Sequence, residues 1–304
     1  MLLPALCWQA LAYETDQVSN RLQPLSDSTV SLNDRVNETL LRIAREWRGP
    51  RNERRFVKRI YWQIGGLHWV DKLERWAMKA PEVDKLTTPR YKSIYAGHPL
   101  CASRVTKLFG IGATIRVNDV LIGSDKIGHF ISQGMKFYMR WDKSRDEGAA
   151  ARRSAYTERA IFGQMTTGSY SNADLVANYE GHRFYRSLFE DNIVPGKPSI
   201  LVWNKTNWRV QREFDFADHV NDYWDEGIHF NHYDRLLYPH VKDRLLKFCD
   251  EFSQEPLRYD VRKESELKQR YTHLELRETS ELRLPNLCQP MAVKPGGAGM
   301  VGMP

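Results

Sequence analysis

The sequence contains no run of about 18 consecutive apolar residues, the length that a membrane-spanning helix requires. A conventional transmembrane helix is therefore excluded, and any contact with a membrane must involve the protein surface. The composition also excludes general disorder, because 41% hydrophobic and 12% aromatic residues in a chain of 304 are enough to build a core. No internal repeat is present.

Several familiar catalytic and nucleotide-binding motifs are missing as well. The chain has no GxSxG motif, no P-loop, no GxGxxG fingerprint and no HExxH zinc motif. Its four cysteines, Cys7, Cys101, Cys249 and Cys288, form no CxxC pair and lack zinc-finger spacing. The three that follow the N-terminal segment allow one disulfide and one free thiol.

The N-terminal segment Met1 to Ala12 is apolar and ends in Ala10-Leu11-Ala12, the small-x-small pattern that a signal peptidase cleaves. This pattern predicts a signal peptide over residues 1–12, a mature chain that begins at Tyr13, and a periplasmic or secreted protein. Export disfavours nucleic acid as a partner. The alternative interpretation is a buried N-terminal helix.

Positive charge is in moderate excess, with a net charge of +7. Such an excess suits phosphates, anionic lipid headgroups or acidic glycans. Seven basic residues lie between Arg45 and Arg59 and could meet phosphate. The alternative is a solvated face of two helices with Glu46 and Glu53 as partners.

Hydrophobic periodicity predicts a mainly α fold with two short β-hairpins. The expected regions are an N-terminal helical region (13–110), a central helical unit (111–194), a C-terminal region (195–284) and a disordered tail (285–304). Helices are expected over about 32–47, from Phe56 to Ile64, around Leu67 to Ala77, and over 124–142, 148–165 and 172–190. The hairpins are expected at 114–122, with Asn118-Asp119 as its turn, and at 199–214.

Polar residues at four-residue spacing mark two of the central helices. Asp125 and His129 are four residues apart on one, and Asp174, Asn178 and His182 are at successive steps of four on another, so each set shares a helix face. We expect the two faces to meet as a polar seam, with Glu158 as a third contributor. Because eight residues rise about 12 Å, Asp174 and His182 are not expected to bind the same ion.

A second group of acidic and imidazole side chains lies near residue 225. It consists of His219, Asp222, Asp225, Glu226, His229 and His232. The spacings match no established zinc signature, and Gly227 is expected to interrupt any helix. The sequence therefore favours a hydrogen-bonded loop packed beneath Trp224 and Tyr233, with metal binding as the alternative.

Two segments of the central unit resemble VanZ-like proteins and the related small envelope proteins of the YfiM type. The segments DKIGHF (125–130) and SNADLVANYEG (171–181), with Glu158 between them, are similar to the family pattern DK-x-x-HF, Glu and S-x-x-D-x-x-x-N-x-x-G. Asp125, Lys126, His129, Asp174, Asn178 and Gly181 match it. The resemblance covers about 60 residues. It implies a cell-envelope setting and a shared polar centre, and it supplies no reaction.

These observations support two functional hypotheses. The first is an exported cell-envelope protein without catalytic activity, in which the seam locks three helices together and the basic segment binds a lipid, glycan or protein partner. The second is a metal-dependent hydrolase of an envelope phosphate ester or glycan. There, His129, Glu158 and Asp174 would hold a divalent ion such as zinc.

In the hydrolase hypothesis, Asp125 orients His129 or binds the ion directly, and Asn178 positions substrate or water. The distance between the side chains of His129 and Asp174 tests whether the two polar faces form a site at all. A value under about 6 Å favours a functional site, whereas a value beyond about 12 Å excludes one.

Overall fold

The computed structural model of the protein describes residues 14–66, 70–98, 110–162 and 164–289. The fold is mainly α with minor β content, as the periodicity predicts. The predicted signal peptide, Cys101 and most of the C-terminal tail lie outside the described residues.

The helices follow one another in chain order, and two of them continue into π-helical segments. A π-helical segment (His129–Gln133) joins α4 to α5, and another (Glu158–Phe162) extends α6. The α-helices are α1 (Thr29–Arg45), α2 (Glu53–Ile64), α3 (Lys72–Ala77), α4 (Asp125–Gly128), α5 (Gly134–Ser144), α6 (Glu147–Thr157), α7 (Gln164–Thr167), α8 (Asn172–Ser187), α9 (Tyr238–Leu245), α10 (Cys249–Gln254), α11 (Glu264–Arg270) and α12 (Leu284–Leu287).

The strands are short and form two-stranded sheets. They are β1 (Glu14–Thr15), β2 (Ile111–Gly112), β3 (Thr114–Val117), β4 (Val120–Gly123), β5 (Ser169–Tyr170), β6 (Leu201–Trp203), β7 (Trp208–Val210) and β8 (His232–Tyr233). Strands β1 and β2 pair in parallel, whereas the β3–β4, β5–β8 and β6–β7 pairs are antiparallel.

Both predicted hairpins are present. In the first, Thr114 pairs with Gly123 and Val117 with Val120. Asn118 and Asp119 take φ angles of 51° and 60°, the left-handed conformation that a two-residue hairpin turn requires at both positions. The second hairpin, β6–β7, is shorter than the predicted span.

Helices α5 and α8 pack closely because glycines face each other. A Cβ atom on Gly181 would lie 2.0 Å from the carbonyl oxygen of Phe130, and one on Gly134 would lie 2.6 Å from the Cα of Gly181. Any larger residue at Gly134 or Gly181 would push the helices apart. This contact brings the polar face of α8 against the segment that carries His129.

One large apolar core draws on the N-terminal, central and C-terminal regions, from Leu32 in α1 through Phe130 to Leu274. The regional limits expected from sequence are thus not limits of the core. A smaller cluster forms beneath the C-terminal helices and includes Tyr95, Phe230 and Leu284. Among the described residues, no helix is both long enough and apolar enough to cross a membrane.

One local prediction was wrong. The tail does not become disordered at Pro285, because Leu284–Leu287 is helical, Leu284 is buried, and a disulfide joins Cys288 to Cys249. The helix predicted over about 148–165 is present, and it changes from α-helical to π-helical at Glu158. The N-terminal part of the third predicted helix, at Leu67, falls outside the described residues.

Candidate functional site

The first half of the site is presented by α4 directly after the β3–β4 hairpin. Gly123 ends the hairpin, and a Cβ atom there would lie 2.4 Å from Asp125 Oδ1, so only glycine allows this approach. Asp125 lies in the first helical turn, and His129 follows four residues later at the start of the π-helical segment. Such segments often occur at functional sites.

The second half of the site comes from the N-terminal turns of α8, a helix with nearly every residue buried. Ser171 caps it, since its Oγ accepts a hydrogen bond of 3.1 Å from the backbone N–H of Asp174. Asp174 and Asn178 then project from the same face. The predicted helix start and the predicted four-residue spacing are both confirmed.

The two halves meet at His129. Its Nε2 lies 3.1 Å from Asp174 Oδ2, and its Nδ1 lies 3.0 Å from Asn178 Oδ1. The distance between His129 and Asp174 is well inside the limit that favours a functional site. His182, two turns further along α8, is elsewhere: its ring stacks on Phe137 with centroids 4.8 Å apart.

The contacts of His129 restrict its protonation. Asn178 Nδ2 donates to Ser154 Oγ at 3.1 Å, so the amide turns its carbonyl oxygen toward His129. His129 Nδ1 therefore carries a hydrogen. The other nitrogen, Nε2, faces the Asp174 carboxylate and either carries a second proton or offers its lone pair to a metal ion.

The side chain of Lys126 lies among the carboxylates of Asp125, Asp174 and Glu226 and is almost completely buried. Its Nζ lies 2.7 Å from Asp125 Oδ2, 2.6 Å from Asp174 Oδ1 and 2.7 Å from Glu226 Oε1. An ammonium with three carboxylate neighbours is well compensated. Lys126 thus holds Asp125 and Asp174 through one oxygen each, which leaves their other oxygens directed elsewhere.

Glu226 joins this site although the sequence placed it in the second group. Its Oε1 accepts a hydrogen bond of 2.7 Å from Ser171 Oγ, and its Oε2 accepts one of 2.9 Å from Thr15 Oγ1. The pairing of β5 with β8 brings this part of the chain beside the start of α8. Residues from three distant stretches of sequence therefore surround Lys126.

Three side chains are arranged so that they could hold a metal ion. One ligand atom each from Asp125, His129 and Asp174 lies within 4.8 Å of the others. Two ligands of one ion with bonds of about 2.1 Å lie about 3.0–3.4 Å apart, which matches His129 and Asp174. Asp125 Oδ1 is buried and has no hydrogen-bond partner among the described residues.

Glu158 is not part of this ligand group, contrary to the sequence prediction. It is buried, and its Oε1 accepts a hydrogen bond of 3.1 Å from the backbone N–H of Ser171. Burial, followed by the charge of Asp174, raises its pKa well above the usual value. Glu158 therefore supports the start of α8, and Asp125 takes its place in the group that could hold a metal ion.

The low-polarity surroundings shift the other ionisable groups too. Burial raises the pKa of Asp125 to about 6 despite the opposing charge of Lys126. Burial, then the charge of Glu226, raises the pKa of Glu14 to about 8. Burial would also raise the pKa of Asp174, but His129 and Lys126 outweigh it and hold that pKa below the usual value. Asp174 is thus the carboxylate most firmly kept ionised.

The second group predicted from sequence does not converge. Asp222 pairs with Arg262 at 2.6 Å, Asp225 with Arg21 at 2.7 Å, and His219 with Glu180 at 3.1 Å. His229 stacks on Tyr223 with ring centroids 3.9 Å apart, and His232 Nδ1 lies 3.0 Å from Arg277. The preferred interpretation, a hydrogen-bonded loop, agrees with these contacts. Its metal-binding alternative does not, because the side chains point to separate partners.

Comparison with protein-family models, with curated proteins and with solved structures finds no match to this chain. The resemblance to VanZ-like proteins stays a prediction from the motifs. The chemistry of this site therefore has to be inferred from its own geometry.

Proposed function

We propose that the protein is an extracytoplasmic hydrolase that binds one divalent cation through Asp125, His129 and Asp174. The observation that carries this proposal is the 3.1 Å approach of His129 Nε2 to Asp174 Oδ2, with Asp125 inside the same 4.8 Å group. Two carboxylates and one imidazole form a ligand set typical of divalent metals that activate water.

The surrounding residues have distinct roles in this proposal. Asn178 orients His129 by accepting from Nδ1, which directs Nε2 toward the ion, so Asn178 acts on the ligand instead of on substrate or water. Lys126 holds one oxygen of each carboxylate and offsets part of the negative charge. A divalent ion bound here would lower the pKa of a bound water and supply a hydroxide nucleophile.

The disulfide between Cys249 and Cys288 supports the extracytoplasmic setting, because such bonds persist mainly in oxidising compartments. A phosphate ester or glycan of the cell envelope is the proposed substrate class. Both suit the basic net charge of the chain. The side chains of Asp125, His129 and Asp174 are 13%, 14% and 11% exposed, so the site retains some access to solvent.

Titration calorimetry with Zn²⁺ and with Mn²⁺ tests this proposal on the metal-stripped protein. The wild type should bind about one ion per chain, and His129→Ala and Asp174→Asn should each weaken binding at least about tenfold. His240→Ala, which removes a histidine on α9, serves as the matched control and should bind like wild type. Absence of binding by the wild type, or equal binding by all variants, would reject the metal site.

Lys126 is buried and its charge is balanced by three carboxylates, which favours a second candidate function. In this case the protein is a non-catalytic envelope protein, and the polar seam holds three helices together. In that case His129 is an imidazolium paired with Asp174, and its loss removes a buried polar partner. His129→Ala should then lower the free energy of unfolding by about 2–3 kcal/mol and leave metal content unchanged at zero. In the metal-binding case, the same substitution should leave the stripped protein unchanged or more stable.

A further inference from the structure

Most of the net positive charge of this protein is concentrated in one short stretch. Residues 45–59 contain seven basic and two acidic residues, a net charge of +5 against +7 for the whole chain. The stretch covers the end of α1, the loop after it and the first half of α2. This basic segment plays no part in the metal site proposed above.

Helices α1 and α2 place these charges on one side of a helical hairpin. Arg42 donates to Gln63 Oε1 at 2.8 Å, and Arg55 donates to the carbonyl oxygen of Arg48 at 3.2 Å. These contacts show that the helices run antiparallel. Arg45 and Arg48 at the end of α1 therefore lie beside the α2 face that carries Arg54, Arg55 and Lys58, and all five are exposed.

Carboxylates neutralise only part of this surface. Arg51 pairs with Glu53, and Arg54 pairs with Asp142. Among the described residues, no carboxylate lies within 4.0 Å of the charged groups of the other basic side chains of the segment, which are Arg45, Arg48, Arg55, Lys58 and Arg59. Of the two partners expected for a solvated face, Glu46 and Glu53, only Glu53 forms an ion pair within the segment, with Arg51.

Two of the guanidinium groups are held in place by an aromatic ring. The side chains of Arg55 and Arg59 each lie 5.3 Å from the ring centroid of Trp47, which is itself buried. This packing fixes the two charges at the surface before any partner arrives, so less conformational entropy is lost on binding.

Exposed apolar side chains lie on the same side of the hairpin. Trp62 is 53% exposed and follows Lys58 by one helical turn, and Leu41 is 38% exposed one turn before Arg45. Tryptophan at the edge of a basic face is characteristic of proteins that lie on a membrane, because the indole ring prefers the headgroup region.

We propose that this side of the α1–α2 hairpin, formed by Leu41, Arg45, Arg48, Arg55, Lys58, Arg59 and Trp62, docks on an anionic phospholipid surface. Exposed cations spread along two helices fit many phosphates in a plane better than a single phosphate in a pocket. The flanking Trp62 and Leu41 fit an interface with an acyl boundary. Binding would keep the protein at the envelope membrane without a spanning helix.

Vesicle sedimentation of the full-length protein tests the proposal. The wild type should bind phosphatidylcholine vesicles that contain about 30 mol% phosphatidylglycerol, bind pure phosphatidylcholine far more weakly, and be released when salt rises above about 0.3 M. The triple variant Arg45→Gln/Arg55→Gln/Lys58→Gln should lose about 100-fold in affinity. Trp62→Ala should lose about tenfold.

The matched control is Arg235→Gln/Lys247→Gln/Lys268→Gln, which removes three exposed charges from the C-terminal region. It should bind within about threefold of wild type, since none of its three cations belongs to the proposed docking surface. If both triple variants lose the same amount of vesicle affinity, net charge alone explains the binding, and the proposal is overturned. A thermal melt of each variant confirms that it is folded.

Two further outcomes also overturn it. If inorganic phosphate displaces the protein more strongly than chloride at equal ionic strength, the surface holds a discrete phosphate site instead. If the wild type fails to bind anionic vesicles even at low salt, the surface faces another acidic partner, such as a protein. The assay is repeated with EDTA and with His129→Ala, and binding should not change, so this proposal and the metal site can fail independently.

Discussion

The chain contains two sets of acidic and histidine side chains with similar residue types. The side chains of one set converge, and those of the other do not. Asp125, His129 and Asp174 converge within 4.8 Å, whereas His219, Asp222 and Asp225 each find a different partner. The converging group lies on helices with four-residue spacing. The dispersed group lies in a loop of 3₁₀ turns, where consecutive side chains point in different directions. Residue types alone therefore do not make a site, and backbone periodicity decides which side chains can meet.

The groups also differ in how their charge is compensated. In the dispersed group, individual arginines pair with individual carboxylates, as Arg262 does with Asp222. In the converging group, one lysine serves three carboxylates, and one histidine faces an oxygen with each nitrogen. The substitutions below test whether this contrast is energetic as well as geometric.

Removal of Lys126 should have the largest effect. Lys126→Met leaves three buried carboxylates without their shared cation, so we expect the free energy of unfolding to fall by about 3–5 kcal/mol at neutral pH. Urea denaturation measures this value. Lys268→Met, at an exposed position on α11, is the control and should stay within about 0.5 kcal/mol of wild type. A loss below about 1 kcal/mol for Lys126→Met would contradict the central role of this lysine.

Breaking an ion pair in the dispersed group should lower the unfolding free energy by less than the loss of Lys126 does. It should also leave the metal site unaffected. The side chains of Asp225 and Arg21 are 3% and 5% exposed and 2.7 Å apart, and Arg21 keeps a second hydrogen bond to the carbonyl oxygen of Arg258. Asp225→Asn should therefore lower the unfolding free energy by about 2–3 kcal/mol. Metal affinity, measured by calorimetry, should not change. A parallel loss of metal affinity would show that the two groups are coupled.

The pH dependence of the unfolding free energy should show the effect of His229, which belongs to the dispersed group. Burial lowers the pKa of His229 to about 4 from its usual 6.5. The unfolded state then binds the proton more tightly, so the stability contribution is full above pH 6.5 and is lost as pH falls toward 4. His229→Gln should reduce the loss of stability between pH 7 and about 4.5 by about 2 kcal/mol in urea titrations. An unchanged slope would mean that the pKa of His229 is the same in the folded and unfolded states, and so is not lowered by burial.

Much of the fold could be predicted because it rests on local patterns. The start of α8 near Asn172 and the Asn118-Asp119 turn follow from patterns within single elements. The contact of His129 with Asp174 joins two elements, so spacing predicts each polar face, and the meeting of the two faces is a further expectation. The position of Glu226 could not be predicted, because it depends on the pairing of β5 with β8 across more than 60 residues of intervening chain. No local pattern encodes such a contact.

Lys126 was overlooked as a central residue for a different reason. Lysine is almost never fully buried, and the spacing argument considered only acidic, amide and imidazole side chains, so Lys126 entered only as a match to the DK-x-x-HF pattern. Its place beside Asp125 in the DK pair was the available signal, since a lysine next to a buried acid can supply the missing charge.

The smallest effect is expected at Glu158, and it decides between the ligand set predicted from sequence and the group that the structure brings together. The raised pKa of Glu158 favours its uncharged form, and a glutamine oxygen can accept the same hydrogen bond from the backbone N–H of Ser171. Glu158→Gln should therefore change the unfolding free energy by less than about 0.5 kcal/mol and metal affinity by less than about twofold. If Glu158 were a ligand, affinity would fall about 10- to 100-fold, as expected for His129→Ala in the same calorimetric experiment. That result would restore Glu158 to the metal site and require the α6 segment to move toward His129 when the ion binds.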